Sequence, residues 1–277
     1  MSHSDPQEGK GWYRYDKFTG VFTEMEFQGQ ALLDKPMEVN TWRAPTDNDR
    51  NIKNVWMGVS YNRTQSRAYT TTFEQTATGV TIRSTMSVTA IIFQRMMDIE
   101  TVWNIDANGV ITVEMDVKRN PEFPVLPRFG LRLFLPKAME NVTYYGIGPD
   151  ESYIDKRRAG WHGLFNTDLD ALHEDYIRPQ ENGSHYDCDF VTLTGNGYQL
   201  TAVSAAPFSF NASRYTQEEL TAKAHNYELE DSGSAVLCLD YAQNGIGSNS
   251  CGPQVMEPYA FNDEAFRFAV KLIPEVI

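Results

Sequence analysis

Cysteine is scarce: Cys188, Cys238 and Cys251 are the three in a chain of 277 residues. Their number is odd and no two form a Cys-x-x-Cys pair, so neither a disulfide framework nor a zinc or redox motif follows from them. Free thiols and a reducing compartment are expected. Positive charge is thin as well. Lys plus Arg number 24 against 37 Asp plus Glu, a formal net charge of −13, and no stretch is basic enough to track a phosphate backbone, which argues against nucleic acid as a partner. Long apolar runs are missing: Ala90-Ile91-Ile92-Phe93 is among the longest, far short of a membrane span or a signal core. The expectation is a soluble, cytoplasmic protein with no membrane partner. The five histidines, His3, His162, His173, His185 and His225, show no His-x-x-x-His or similar spacing, so no transition-metal site is expected. A Gly-x-Ser-x-Gly elbow, a phosphate loop and a dinucleotide fingerprint are also absent.

What the chain does hold is alternation. Val80, Ile82, Met86 and Val88 alternate with polar residues, as do Ile111, Val113, Met115 and Val117, which predicts half-buried antiparallel strands with one wet face. Asp106-Ala107-Asn108-Gly109 supplies an Asn-Gly hairpin turn before the second of these runs. Earlier, Trp12 to Asp16 and Val21 to Met25 flank a Lys17-Phe18-Thr19-Gly20 turn, so a hairpin opens the fold. Phe129, Leu131, Leu133 and Leu135 continue the alternation and put Arg128 and Arg132 together on the other face, where a salt-bridged surface is the first expectation and a ligand site the second. Further strands are predicted at residues 190–193, 199–204, 236–241 and 266–272. Thr216-Gln217-Glu218-Glu219 is a capping box that opens a short helix through Ala224, and Val55, Trp56, Met57, Val59 and Tyr61 suit another. Residues 1–10 look like a disordered lead-in. No shift in composition marks a linker, so residues 11–277 are expected to form one all-β domain.

Two irregular regions carry the chemistry. Trp42-Arg43-Ala44-Pro45-Thr46-Asp47-Asn48-Asp49 runs into a proline-fixed turn with two carboxylates and an asparagine, a composition suited to a structured, hydrogen-bonded loop. It is either a site or a self-satisfied turn in which Arg43 pairs with an acid. Asp47-Asn48-Asp49 offers hard oxygen ligands but lacks the length and glycine of a calcium loop. Between about 145 and 185 the regular pattern stops, and long irregular segments in a β domain tend to be functional or to plug an interface. Glu151 and Asp155 there are a candidate carboxylate pair, although glycoside hydrolysis sets a specific separation that a sequence does not show. Aromatic residues, 12% of the chain, lie beside glycine and polar residues in these segments; such faces suit a sugar ring and also suit core packing.

Five stretches, in order, are similar to the C-terminal domain, or separately encoded small chain, of glycoside hydrolase family 2 β-galactosidases. They are Trp42 to Asp49; Tyr145-Gly146-Ile147-Gly148-Pro149-Asp150-Glu151-Ser152-Tyr153 with Asp155; Tyr176 with Pro179-Gln180-Glu181-Asn182-Gly183; Phe210-Asn211-Ala212-Ser213-Arg214-Tyr215; and Gly245-Ile246-Gly247-Ser248-Asn249-Ser250-Cys251-Gly252-Pro253. The resemblance runs from about residue 11 to 272 and implies a β-supersandwich, galactose mutarotase-like, of two large antiparallel sheets with one or two short helices. In the family both catalytic glutamates and the magnesium and sodium sites belong to a TIM barrel that this chain lacks. The resemblance therefore implies no catalytic residue and no cofactor in this chain, and no hydrolysis of β-galactosides by the chain alone, because a retaining mechanism needs both carboxyls.

By the same resemblance, the chain closes one side of a galactoside-binding pocket. Its partner is the barrel, on the same polypeptide or as a large subunit, in an enzyme that is a homo-oligomer. Asn249, Ser250 and Cys251 fall on the aglycone side. A family tryptophan that stacks on sugar corresponds to Cys251, whose thiol offers little stacking area, leaving a pocket contact or a small buried packing residue. Asn51 and Ile52 begin a segment, residues 51–60, that matches a mobile loop of the family, with Asn51 where the family has glycine. Arg43, Asp47 and Asp49 are then the scaffold of that loop. The reading from another class is a stand-alone carbohydrate-binding or aldose-mutarotase-like module, which needs a histidine and a glutamate converging in its pocket; His162, His173 and His185 are the candidates.

Overall fold

The computed structural model describes residues 11–247 and 250–277. The expected lead-in over residues 1–10 and the site candidate Asn249 lie outside the described residues. The chain begins with β1 (Gly11–Asp16), β2 (Val21–Phe27) and β3 (Gln30–Ala31), a small three-stranded sheet. Next, β4 (Lys35–Asn40) delivers the Trp42 loop, a 3-10 turn at Asp47–Arg50, α1 (Ile52–Gly58) and a second 3-10 turn at Tyr61–Arg63. An antiparallel meander follows: β5 (Gln65–Thr76), β6 (Gly79–Thr89), β7 (Met97–Asp106) and β8 (Ile111–Arg119). Then come β9 (Arg128–Pro136), β10 (Asn141–Gly148), β11 (Trp161–Asp168), β12 (Ser184–Gly195) and β13 (Tyr198–Ser213). Finally α2 (Gln217–Ala222), β14 (Ser234–Gln243) and β15 (Ala265–Val276) complete the described elements.

One sheet of twelve strands takes in all strands from β4 onward, and it forks. The fork exists because β13 is 16 residues long and borders two strands in succession. Its first part, residues 198–203, pairs with β15, and its last part, residues 209–213, pairs with β14. From β15 one arm continues through β8, β7 and β6 to β5; from β14 the other continues through β9 to β4. The arms close on a shared apolar core that also takes the inner face of the β1–β2 hairpin. Ring contacts mark the closure: Phe129 on β9 meets Phe266 on β15 at 5.0 Å, and Phe22 on β2 meets Trp103 on β7 at 5.0 Å. The two layers are thus one sheet folded over its own core, held by side chains that alternate inward on each strand.

Local signals hold where they are strongest. Gly109 adopts a φ of +83° in the turn before β8, and Asp106 Oδ1 accepts hydrogen bonds from the amides of Asn108 (2.8 Å) and Val110 (3.0 Å). Thr216 Oγ1 accepts from the Glu219 amide at 3.1 Å, capping α2, which ends two residues sooner than expected. The helix expected around residues 55–61 lies at Ile52–Gly58, with Trp56 fully buried.

Two expectations need correction. Arg128 and Arg132 do not form a surface: every residue of β9 up to Leu135 is buried, because the wet face that alternation predicts is covered by residues 181–182 and by α2. Nor is the segment 145–185 wholly irregular, since it holds the end of β10 and all of β11. The latter is the last strand on its side of the sheet; it leaves Trp161 and Leu164 largely exposed, and its inward positions, Gly163, Phe165 and Thr167, are only half-buried and hold one large apolar side chain, too weak an alternation for a sequence to reveal.

Candidate functional site

All five singled-out stretches meet in one hydrogen-bonded cluster of loops. At its centre Arg43 is fully buried. Its Nη2 donates to Asp49 Oδ1 at 2.8 Å and to the Gly245 carbonyl at 3.2 Å, and its Nη1 donates to the Asn244 carbonyl. The guanidinium also lies over the Trp56 ring, 5.2 Å from the centroid. Asp49 uses its other oxygen to accept from the Thr46 amide at 2.9 Å. One arginine therefore ties the Trp42 loop, α1 and the start of the Gly245 stretch together, and its planar fork of donors suits it for this. Trp42 completes the anchor, with its ring edge-on to Trp56 at 6.4 Å and its Nε1 donating to Thr221 Oγ1 at 3.2 Å.

Asp155 explains the glycines of the last stretch. Its Oδ1 accepts from the Ile246 amide at 3.0 Å and its Oδ2 from the Gly247 amide at 2.8 Å, so two successive backbone N–H groups cradle one carboxylate. A Cβ on Gly245 would sit 2.5 Å from Asp155 Oδ2, and one on Gly247 2.9 Å from it, so a side chain at either position would have to displace that carboxylate. Asn48 Nδ2 donates to the Ile246 carbonyl at 2.7 Å and joins the same stretch to the Trp42 loop. Glu151 is equally committed. It accepts from Tyr176 Oη at 2.9 Å, the Gly183 amide at 2.9 Å and Tyr153 Oη at 3.3 Å, and it pairs with Lys156. Burial and the Glu151 charge together raise the Tyr153 and Tyr176 phenols above their ordinary values. Glu151, with two partners on each oxygen, and Asp155, which bridges two successive amides, serve as struts.

Beneath the loops runs a buried polar network that the alternation of β9 hid. Arg128 Nε donates to Asp240 Oδ1 at 3.0 Å and its Nη2 to Asp240 Oδ2, while Nη1 reaches Glu181 Oε1 at 3.2 Å and Nη2 reaches Asn211 Oδ1 at 2.8 Å. Gln243 Nε2 donates to Asn211 Oδ1 at 3.1 Å, and Asn211 Nδ2 to the Asn182 carbonyl at 2.7 Å. Burial alone would lower the Arg128 guanidinium, but Asp240 and Glu181 outweigh it and hold it above its ordinary value. Burial raises both carboxyls, with Arg128 offsetting part of the effect. Above this network the Glu181 amide donates to the Ala44 carbonyl at 3.1 Å, and the Asp47 amide to Gln180 Oε1 at 2.8 Å. Sequence reading passed over Asp240. The signal was a carboxylate inside the run Ser234-Ala235-Val236-Leu237-Cys238-Leu239-Asp240, because a charge within an apolar strand demands a buried partner.

The remaining candidates divide. Asp47 contributes its backbone amide, while its side chain is exposed, unlike that of Asp49; the 47–49 stretch thus fails to converge its oxygens on a cation. Asn51 has φ −91° and ψ −50°, a conformation open to any residue, so its backbone does not require glycine; the positive φ, +61°, falls at Ser60 on the far side of α1. Ile52 packs partly buried against the core. Ser250 Oγ donates to Asn48 Oδ1 at 3.4 Å. Of the three cysteines, all free, Cys188 and Cys238 are buried within this chain and Cys251 is exposed.

The described histidines occupy separate surroundings. His185 is buried between Tyr144 and Phe210, contacts the Ile147 carbonyl through Nδ1 at 3.1 Å, and is pushed down by burial to about 4. His173 packs on Tyr215, and His162 lies edge-on to Tyr145 near the sheet margin. A cleft of about 260 Å³ lies across β12, β13 and β14, walled by Tyr186 and Tyr241 with Ser184, Ser209 and Gln243 among its lining residues; no described histidine lines it.

The family described as beta galactosidase small chain matches residues 8–272. A beta-galactosidase of Actinobacillus pleuropneumoniae is 41% identical over 265 residues, covering 96% of this chain and 26% of that protein. One of Staphylococcus xylosus is 39% identical over 260 residues, covering 94% of this chain and 26% of that protein. The chain thus spans about a quarter of the length of these relatives. In fold it is similar to galactose 1-epimerase from Lactobacillus acidophilus NCFM, with a TM-score of 0.53 at 8% identity over 98% of this chain and 92% of that one. A galactose mutarotase-like protein from Lactobacillus casei ATCC 334 gives a TM-score of 0.51 at 10% identity over 97% and 98%. At such identities the likeness is one of architecture, which is galactose mutarotase-like.

Proposed function

This chain belongs to the β-galactosidase small-chain family, and we propose from that premise that it is a non-catalytic C-terminal domain or small subunit that closes the galactoside-binding pocket of a TIM-barrel catalytic portion. The observation that carries the proposal is the knitting of the five family stretches into one hydrogen-bonded group, with Arg43, Glu151, Asp155 and Asn211 as its internal ties. A wall for someone else's substrate has to be held in place before the substrate arrives, because a loop ordered only on binding subtracts its ordering cost from affinity. In this proposal Asn249, Ser250 and Cys251 form the aglycone side of the pocket. The loop at residues 51–60 is carried by Trp56 and by the Arg43–Asp49 pair.

In this reading the chain's residues orient and enclose, and they move no proton. Both catalytic carboxyls of a retaining glycosidase come from the barrel, as do the magnesium and sodium sites, and Glu151 and Asp155 are spent on structure. The complete enzyme is a cytoplasmic homo-oligomer in the same proposal. The test is complementation. A β-galactosidase fragment that contains the barrel but lacks this family's segment is assayed for galactoside hydrolysis with and without the chain. A gain in kcat/KM on addition, with no hydrolysis by the chain alone, is the expected result. A fragment already fully active and unchanged by addition overturns the pocket-closing role.

A further inference from the structure

A cleft of about 500 Å³ lies where the Trp42 loop, α1, residues 178–179 and α2 meet. Arg50, Lys53 and Arg178 line it, with Asp47, Met57 and Leu220. Three cations thus face one carboxylate in a chain whose net charge is −13. Of the four buried arginines among the described residues, Arg43, Arg128 and Arg132 hold carboxylates, and Arg119 is held by backbone carbonyls and by Asn262. By contrast, Arg50, Lys53 and Arg178 have no ion-pair partner among the described residues. Apolar side chains continue the same surface. Met57 is 43% exposed, Ile177 77% and Tyr227 79%. The Asn226 amide donates to the Ile177 carbonyl at 2.9 Å, which brings the backbone of residues 226–227 near the 177–178 pair, and the Tyr227 ring stacks on His225 at 5.1 Å.

Single exposed apolar residues need no explanation, but a contiguous strip beside unpaired charge marks a contact surface. Its composition is that of an interface with a charged rim. The chain covers 26% of the length of its relatives, so nearly three quarters of such a protein is available to cover the strip. We propose that this strip docks the chain onto the catalytic portion of a β-galactosidase, whose facing surface presents carboxylates to Arg50, Lys53 and Arg178 and apolar side chains to Met57, Ile177 and Tyr227. The inference rests on the proposed function and adds which face makes the contact. Opposite charges at the rim speed encounter and select the orientation, whereas the apolar side chains slow dissociation.

The test measures association kinetics between this chain and the barrel-containing fragment. For Lys53→Glu with Arg178→Glu, the association rate is expected to fall about 10-fold or more at low salt, and the difference to close as added salt shortens the screening length. Lys118→Glu with Lys271→Glu makes the same change in net charge at exposed positions on β8 and β15 and is expected to bind as the wild type does. For Ile177→Ser with Tyr227→Ser, the dissociation rate is expected to rise about 10-fold with unchanged salt dependence. Apart from the half-buried Lys53, the substituted positions are exposed, and unchanged thermal melting identifies variants that fold normally. If the wild type binds and the Lys53/Arg178 and Ile177/Tyr227 variants bind equally well, the surface is wrong while the family role stands. If the wild type does not bind at all, both are overturned.

Discussion

Replacing Arg128 with methionine isolates what the buried network contributes. Arg128 and Asp240 have fully buried side chains, and Glu181 is nearly so. Methionine fills similar volume but leaves two buried carboxylates without the cation that pairs with both. Breaking a buried pair by removing one partner costs about 3–5 kcal/mol, because the surviving charge is uncompensated. In a chain of this size each kcal/mol lowers Tm by about 2–4 °C, so a drop of roughly 6–20 °C is expected. Arg128→Met with Asp240→Asn should recover part of the loss, since the amide keeps the shape and removes the charge; a coupling of about 1–3 kcal/mol is expected for partners in direct contact. Acid should help the single variant. Burial raises the Asp240 and Glu181 carboxyls even with Arg128 present, and without the guanidinium they rise further. A carboxyl whose pKa rises on folding takes up its proton in the folded state first, so the variant gains stability relative to the wild type as pH falls toward about 5. Urea unfolding at several pH values measures all three quantities. A cost below about 1 kcal/mol for Arg128→Met, or further destabilisation on adding Asp240→Asn, would refute the assignment of the cost to orphaned charge.

Other consequences are simpler. His185, pushed down by burial to about 4, stays neutral in the folded chain while the unfolded chain protonates near 6.5. Stability is therefore lost as pH falls from 6.5 to about 4, at about 1.4 kcal/mol per pH unit, and His185→Phe should flatten this slope in urea titrations. Asp155→Ala frees the Ile246 and Gly247 amides, and their hydrogen exchange should accelerate about 10-fold or more, whereas Asp155→Asn, which keeps an acceptor, should fall between. Thr216→Ala should cost about 1 kcal/mol by uncapping α2, read from the urea midpoint.

Local chemistry was legible where a short-range rule decides the outcome. The Asn108-Gly109 turn, the Thr216 cap and the alternation of β6 and β8 each follow from neighbouring residues, and the structure has them all. What escaped was set by contacts distant in sequence. Arg128 and Arg132 look like a wet face until residues 181–182 and α2 cover them. The fork in the sheet depends on β13 running on past β15 to reach β14, and no pattern within β13 announces a change of partner. Of the candidate site, the convergence of the five stretches was implied only by resemblance, because separations of up to about 200 residues, as between Arg43 and Gly245, leave no local periodicity. Asp47 and Asp49 looked alike in sequence, yet one points to solvent and the other to Arg43.

Cys251 offers the most direct measurement of the central claim, since it is the one exposed thiol of the three described cysteines and lies in the stretch assigned to the pocket wall. Its rate of alkylation by a maleimide is measured in the free chain, after addition of the barrel-containing fragment, and again with galactose present. The account predicts rapid labelling in the free chain, slower labelling in the assembly, and further protection by galactose. Labelling that is indifferent to both the fragment and the sugar would contradict it.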